Sequence, residues 1–372
     1  MKKERRSPIL VTRSSLAPFE EYEELIRKLW DTRFITNMGP YHEELKGKLA
    51  EKFGRETELF VNGHMALEML LQAFDLKGEV ITTPFTFVST THAIVRNGLT
   101  PVMCDVKETD GTLDPEKLET LITEKTCAIL PVHVYGNVCD DEAIEAIAKK
   151  HGIPVIYDAA HAFGETVNGT PVAALGDASM LSFHATKAFN SIEGGCVCFD
   201  EKKHPGLAGR LYKLKNFGIT GKESIEYVGG NAKMNEFAAA MGIVNLRHFD
   251  EWVAARKRVF ERYALNLADV KGVRILEKSE NVSYNYAYMP VVLDPAYFDR
   301  DKVYDTMVAD GICPRKYFYP LVNDCECYRG VLPAAETETP VAYRLSKTVL
   351  TLPIYPDLPL ETVDEICGYF EK

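Results

Sequence analysis

At 372 residues the chain is long enough for one large and one smaller domain with ample core. Hydrophobic residues at 46% and charged residues at 26% are those of an ordinary soluble globular protein, and a net charge of −11 argues against a general nucleic-acid binder. An anionic ligand is not excluded, because helix N-termini bind phosphate within acidic proteins.

In chain order, Met1–Arg6 is charged and lacks the apolar run of a signal peptide. No stretch is apolar for long enough to span a bilayer, so a cytoplasmic protein is expected. Glu20 to Asp31 reads as an amphipathic helix, with Leu25, Ile26, Leu29 and Trp30 on one face. Pro40 opens a second helix to about Phe53. Strands are predicted at Glu58–Val61, Val80–Thr82, Pro101–Asp105, Cys127–Val134 and Pro154–Tyr157. They alternate with helices at Met65–Phe74, Val88–Arg96, Asp114–Ile122 and Asp140–His151. Apolar strands alternating with helices give an α/β fold, a mostly parallel sheet covered on both faces. Ligands bind such sheets at the carboxyl ends of the strands, where Asn62-Gly63, Phe85, His133 and Asp158 fall.

Two further strands, Ala178–Phe183 and Gly195–Phe199, flank a loop that carries Lys187. A long helical stretch from Met234 to about Leu267 leads into a second α/β unit, with a strand at Tyr286–Leu293 and helices at Arg300–Ala309 and Leu360–Phe370. The expected division is residues 1–245 for the large domain and 246–372 for the small one. Nine cysteines, with CxC pairs at Cys196/Cys198 and Cys325/Cys327, suit reduced thiols better than a metal site.

The chemistry centres on Lys187 and Asp158. A lysine in a mostly apolar loop and an acid ending a buried strand suit pyridoxal phosphate: the lysine forms the Schiff base and the carboxylate keeps the pyridine nitrogen protonated. Gly63 and His64, at a strand-to-helix turn, and Ser182, at a strand end, are placed to hold a phosphate. The segment Phe85-Thr86-Phe87 offers an aromatic for stacking on a planar ring, and His161 can orient Asp158 or the cofactor hydroxyl. No GxGxxG, Walker loop, G-x-S-x-G or HExxH is present, so nicotinamide enzymes, ATPases and hydrolases lack their markers.

In this order the motifs resemble the sugar-nucleotide aminotransferases of the DegT/DnrJ/StrS group. The matching segments are Thr82 to Phe87, Val132-His133-Val134-Tyr135-Gly136, Asp158 to Gly164, Ser182 to Lys187 with Glu193-Gly194-Gly195, and Leu352 to Pro356. The resemblance implies a fold-type I, pyridoxal phosphate-dependent enzyme with a seven-stranded sheet, a smaller C-terminal domain and a homodimer with shared active sites. It implies that Phe87 stacks on the ring, that Gly63, His64 and Ser182 hold the phosphate, and that Asn231, with Asn235 as the fallback, reaches the partner's phosphate. His64 departs from the threonine usual there.

Transamination is implied because position 187 is lysine. The implied reaction moves an amino group from L-glutamate to C4 of a dTDP-linked 4-keto-6-deoxyhexose. The alternatives are a C3 enzyme, one acting on a UDP- or GDP-linked keto sugar, and a non-catalytic binding protein of the same fold. His184 and Glu193 are the candidates for lining the sugar pocket, and Lys213, Lys215 or Arg33 for meeting the diphosphate.

Overall fold

The computed structural model describes residues 7–371, so the charged segment Met1–Arg6 lies outside the described residues. Helix α1 spans Phe19–Thr32 and α2 spans Pro40–Phe53. Proline at its first turn starts α2, and Gly54, left-handed at φ 65°, ends it by donating its N–H to the Ala50 carbonyl. The main sheet takes its strands from β1 (Glu56–Phe60), β2 (Glu79–Thr82), β3 (Thr100–Met103), β4 (Thr126–Ile129), β5 (Ile156–Asp158), β6 (Ala178–Ser182) and β7 (Gly195–Phe199). The helices between them are α3 (Gly63–Ala73), α4 (Ser89–Arg96), α5 (Pro115–Leu121) and α6 (Asp141–His151), and α7 (Leu207–Leu214) follows β7. Asn62, Asp114 and Asp140 cap α3, α5 and α6 by accepting first-turn amides.

Strands β1, β7, β6 and β5 form one run and β4, β2 and β3 another, joined by parallel bridges from Ile129 to Val155 and from Val132 to Asp158. Only β7 runs against its neighbours, antiparallel to both β1 and β6. The reason is local: the β6–β7 connection contains no crossover helix, so the chain turns straight back. That return is the segment carrying Lys187.

The sheet separates two cores. On one face, α1, α2 and α6 pack through Leu25, Leu45, Leu49 and Ile144 against Ile81, Tyr157 and Leu181. On the other, α3, α4 and α7 contribute Leu67, Leu70, Ile94 and Leu211 against Val80, Ile156 and Val197. Alternate residues of each strand feed opposite cores, as a pleat requires.

Helix α8, Glu236–Leu267, runs unbroken through residue 245. Its first part, from Ala238 to Phe249, belongs to the large core. Its last part, from Val259 to Leu267, joins a third core with Met289, Leu350, Ile366 and Phe370. There Val273–Ile275, Met289–Leu293 and Val349–Leu352 form an antiparallel sheet. The strand expected from Tyr286 begins only at Met289, because Tyr286 is left-handed at φ 53°, outside the pleated conformation. The strand expected to reach Val134 stops at Ile129 and is followed by a 3₁₀ turn, Val134–Gly136.

Candidate active site

The carboxyl ends of β1, β2, β5 and β6 converge, and the sequence-predicted residues meet there. Asp158, the last residue of β5, is buried. Its Oδ2 accepts from Thr90 Oγ at 2.8 Å and its Oδ1 from the Ala160 amide at 3.1 Å. Burial pushes this carboxyl above its ordinary range, while the Thr90 and Ala160 bonds and the charge of Lys187 pull it back. A cationic N–H beside it would restore its charged form.

Lys187 is half-buried, and its Nζ donates to the Tyr288 hydroxyl at 3.2 Å. Removal from water lowers its pKa to about 8, with Asp158 and Tyr317 opposing. An amine in that range deprotonates readily near neutrality, which a nucleophile or base requires.

Gly63 opens α3, and its close approach to Ser182 leaves no room for a side chain: a Cβ there would lie 2.9 Å from the Ser182 Cβ. The N-terminus of α3 therefore lies against the end of β6, with the Met65 amide taken by Asn62 and the Gly63 and His64 amides without helical acceptors. His64 Nδ1 lies 2.9 Å from Ser89 Oγ and Nε2 3.3 Å from Glu68, so its imidazole is engaged by the neighbouring helix turn and α4. Phe87 is 61% exposed and presents a free ring, whereas Phe85 is buried against Tyr135 and Phe318 and belongs to the core. His161 accepts the Tyr135 amide on Nδ1 at 3.0 Å and packs on Tyr288 at 4.4 Å. Its hydrogen bond thus goes to Tyr135 and not to Asp158.

A half-buried amine, a buried acid, an exposed aromatic and a helix N-terminus beside a serine are a donor set that fits pyridoxal phosphate. His184, Thr186 and Glu193 form an exposed cluster at the rim, with His184 Nδ1 2.8 Å from Thr186 Oγ and Nε2 3.6 Å from Glu193. Asn231 is exposed, while Asn235 caps α8 by accepting the Ala238 amide at 2.9 Å. Lys215 is not available to a diphosphate: it is fully buried and bonded to Glu58. Lys213 is paired with Glu226 at 3.1 Å, and Arg33 is exposed after α1.

Thr90 and Tyr288 are the contacts that sequence reasoning misses. Thr90 lies 68 residues from its carboxylate and Tyr288 101 residues from its lysine. The only local signal was Thr90's position on the helix that follows the Phe87 segment.

Among known proteins, the chain is 40% identical over 361 residues to the Escherichia coli dTDP-4-amino-4,6-dideoxy-D-glucose transaminase, covering 96% of each. It superposes on DesI, determined in the presence of its TDP-sugar product, with a TM-score of 0.92 at 35% identity, covering 98% of this chain and 92% of that one. The putative sugar aminotransferase Spr1654 of Streptococcus pneumoniae, in its PLP form, gives a TM-score of 0.91 at 25% identity over 98% of each chain. Residues 19–371, nearly all of the described chain, match the DegT/DnrJ/EryC1/StrS aminotransferase family, and the chain belongs to that family.

Proposed function

We propose that this protein is a pyridoxal phosphate-dependent aminotransferase that moves an amino group from L-glutamate to C4 of dTDP-4-keto-6-deoxy-D-glucose, giving dTDP-4-amino-4,6-dideoxy-D-glucose. The observation that carries the reading is the lowered-pKa amine of Lys187 at the same sheet edge as Asp158, in a chain 40% identical to a transaminase named for that sugar. Pyridoxal phosphate, when bound, supplies the electron sink through which an amine passes between carbon atoms. Lys187 holds the cofactor and, once its amine is free, takes a proton from one carbon and returns it to another. Asp158 would hold the ring nitrogen in its protonated form. Phe87 would stack on the ring, and His161, whose Nδ1 is taken by the Tyr135 amide, would orient the cofactor hydroxyl. Gly63, His64 and Ser182 hold the phosphate, and Asn231 reaches the phosphate of a second copy in a homodimer. His184 and Glu193 line the sugar side. The reading places the enzyme in the cytoplasm and keeps residues 1–245 and 246–372 as its two working units.

Incubation with L-glutamate and a panel of keto-sugar nucleotides tests it. The expected result is a dTDP-4-amino product, identified by mass and by the position of the new amine. Turnover confined to 3-keto or to UDP- or GDP-linked substrates would replace the proposed substrate, and no turnover on any would sink the enzyme reading.

A further inference from the structure

Tyr288 comes to Lys187 from outside the main sheet. It stands one residue before the small-domain strand that begins at Met289, beside a short tether to the large domain. Asn285 donates to the carbonyls of His161 and Phe163 at 2.8 and 3.1 Å, and its Oδ1 accepts the Ala287 amide at 2.9 Å. The tether fixes the backbone just ahead of Tyr288. The Tyr288 ring packs on His161 at 4.4 Å and against Tyr135 and Tyr317 at 5.9 and 6.4 Å. It also borders a small cavity shared with Thr12, Thr186, Tyr317 and Thr351. Held in this way, its hydroxyl oxygen accepts from Nζ, and Asp158 acts on the amine through charge alone.

We propose that Tyr288 is the positioning residue of Lys187: its oxygen accepts an N–H of the amine, leaves the lone pair free, and steadies the ammonium that forms when that lone pair takes up a proton. The proton moves to Nζ and back, and Tyr288 gives up none of its own. A hydrogen bond to an ammonium is stronger than one to an amine, so the contact raises the basicity of Lys187 against the burial that lowers it. The charged and titratable groups around the pair are few. Asp158 and Tyr317 bear on Lys187, Arg256 and Asp158 bear on Tyr288, and Lys187 bears on His161. Arg256 is buried from the α8 side, and burial keeps the phenol well above its ordinary range, hence neutral.

The kinetic part of this proposal rests on the aminotransferase reading, but its first test does not. Tyr288→Phe removes only the oxygen. In the full chain freed of cofactor, the pH dependence of Lys187 acylation, followed by peptide mass spectrometry, should shift its midpoint down by roughly one pH unit. In the holoenzyme, kcat should fall about tenfold or more with KM for both substrates within about twofold. Tyr288→Gln, which restores an acceptor, should recover part of both changes, and Tyr288→Leu, which also lacks the oxygen, takes the place of the phenylalanine variant if that one does not fold. An unmoved labelling midpoint overturns the proposal whatever the enzyme's substrate is. So does an equal loss of kcat and gain in KM with no recovery by glutamine, which would mark packing alone. A shifted midpoint in a protein that turns over no sugar nucleotide would keep the contact and remove the function.

Discussion

Two lysines of this chain are drawn out of water in opposite ways. Lys215 is fully buried between α2 and β1, where it meets the Glu58 carboxylate, donates to the Leu59 carbonyl at 3.0 Å and touches His42 Nε2 at 3.2 Å. Glu58 also takes Lys46 at 3.0 Å, so one buried carboxylate serves two ammonium groups. Lys187 sits at the sheet edge with a neutral phenol as its hydrogen-bond partner. Burial of an ammonium is costly unless it is paired and bonded. Burial lowers the pKa of both lysines, but at Lys215 the charge and hydrogen bond of Glu58 oppose it, whereas Lys187, with a neutral partner, is the one proposed to react.

The contrast can be broken from either side. Lys187→Ala should reduce transamination to background while leaving thermal stability near native; substantial residual turnover would remove Lys187 from the reaction. Asp158→Asn should cost several orders of magnitude in kcat, since a neutral pyridine is a poor electron sink. A near-native rate would mean that another acid does this work. At the structural cluster the expected loss is in stability and not in rate. Lys215→Met strands Glu58 and should cost about 3–5 kcal/mol in urea unfolding, whereas adding Glu58→Leu should recover most of it. A single variant as stable as the parent would show that Lys46 alone satisfies Glu58.

A smaller effect separates the clusters by pH. Burial, then the charge of Lys215, holds His42 down to about 3, so its ring is neutral in the folded protein. The unfolded ring takes a proton near its ordinary value of about 6.5. The contribution of His42 is therefore complete above that value and is lost as pH falls towards 3, about 2 kcal/mol between pH 7 and 5. Urea midpoints measured across that window should lose this slope in His42→Gln, and an unchanged slope would assign it elsewhere. Smallest of all, Thr90→Val removes one bond to Asp158 and should lower kcat about tenfold, the loss expected for a hydrogen bond to a charged group. An unchanged kcat would mean that the Ala160 amide suffices to orient Asp158.

Much of the reactive edge was legible because its residues are close in sequence to strand ends. Asp158 and Ser182 announce themselves by a strand that stops at a polar side chain, Lys187 by the mostly apolar loop that follows Ser182, and the expected bounds of β7 are those observed. Asp114 and Asp140 were readable as helix starts because an acid before a helical run caps it. What was hidden depends on distant pairing. Lys215 reads as a candidate for the diphosphate until Glu58, 157 residues away, is brought against it. The reversal of β7 and the left-handed turn at Tyr286 left no periodic signal. The nearest clue to the buried cluster is an acid, Glu58, set directly before the apolar pair Leu59-Phe60 that ends β1.

The continuity of α8 has a consequence for how the protein comes apart. Thirty-two residues of helix span about 48 Å, with one end rooted in the large core and the other in the small one. Losing either core strips the packing from half of a helix that the other half cannot sustain alone, since helices draw most of their stability from packing. The two halves of the chain are therefore expected to melt in one transition, and amides near the middle of α8 to exchange with solvent only at the rate of global opening. A chain cut at residue 245 would lose cooperativity at that seam before it lost either sheet.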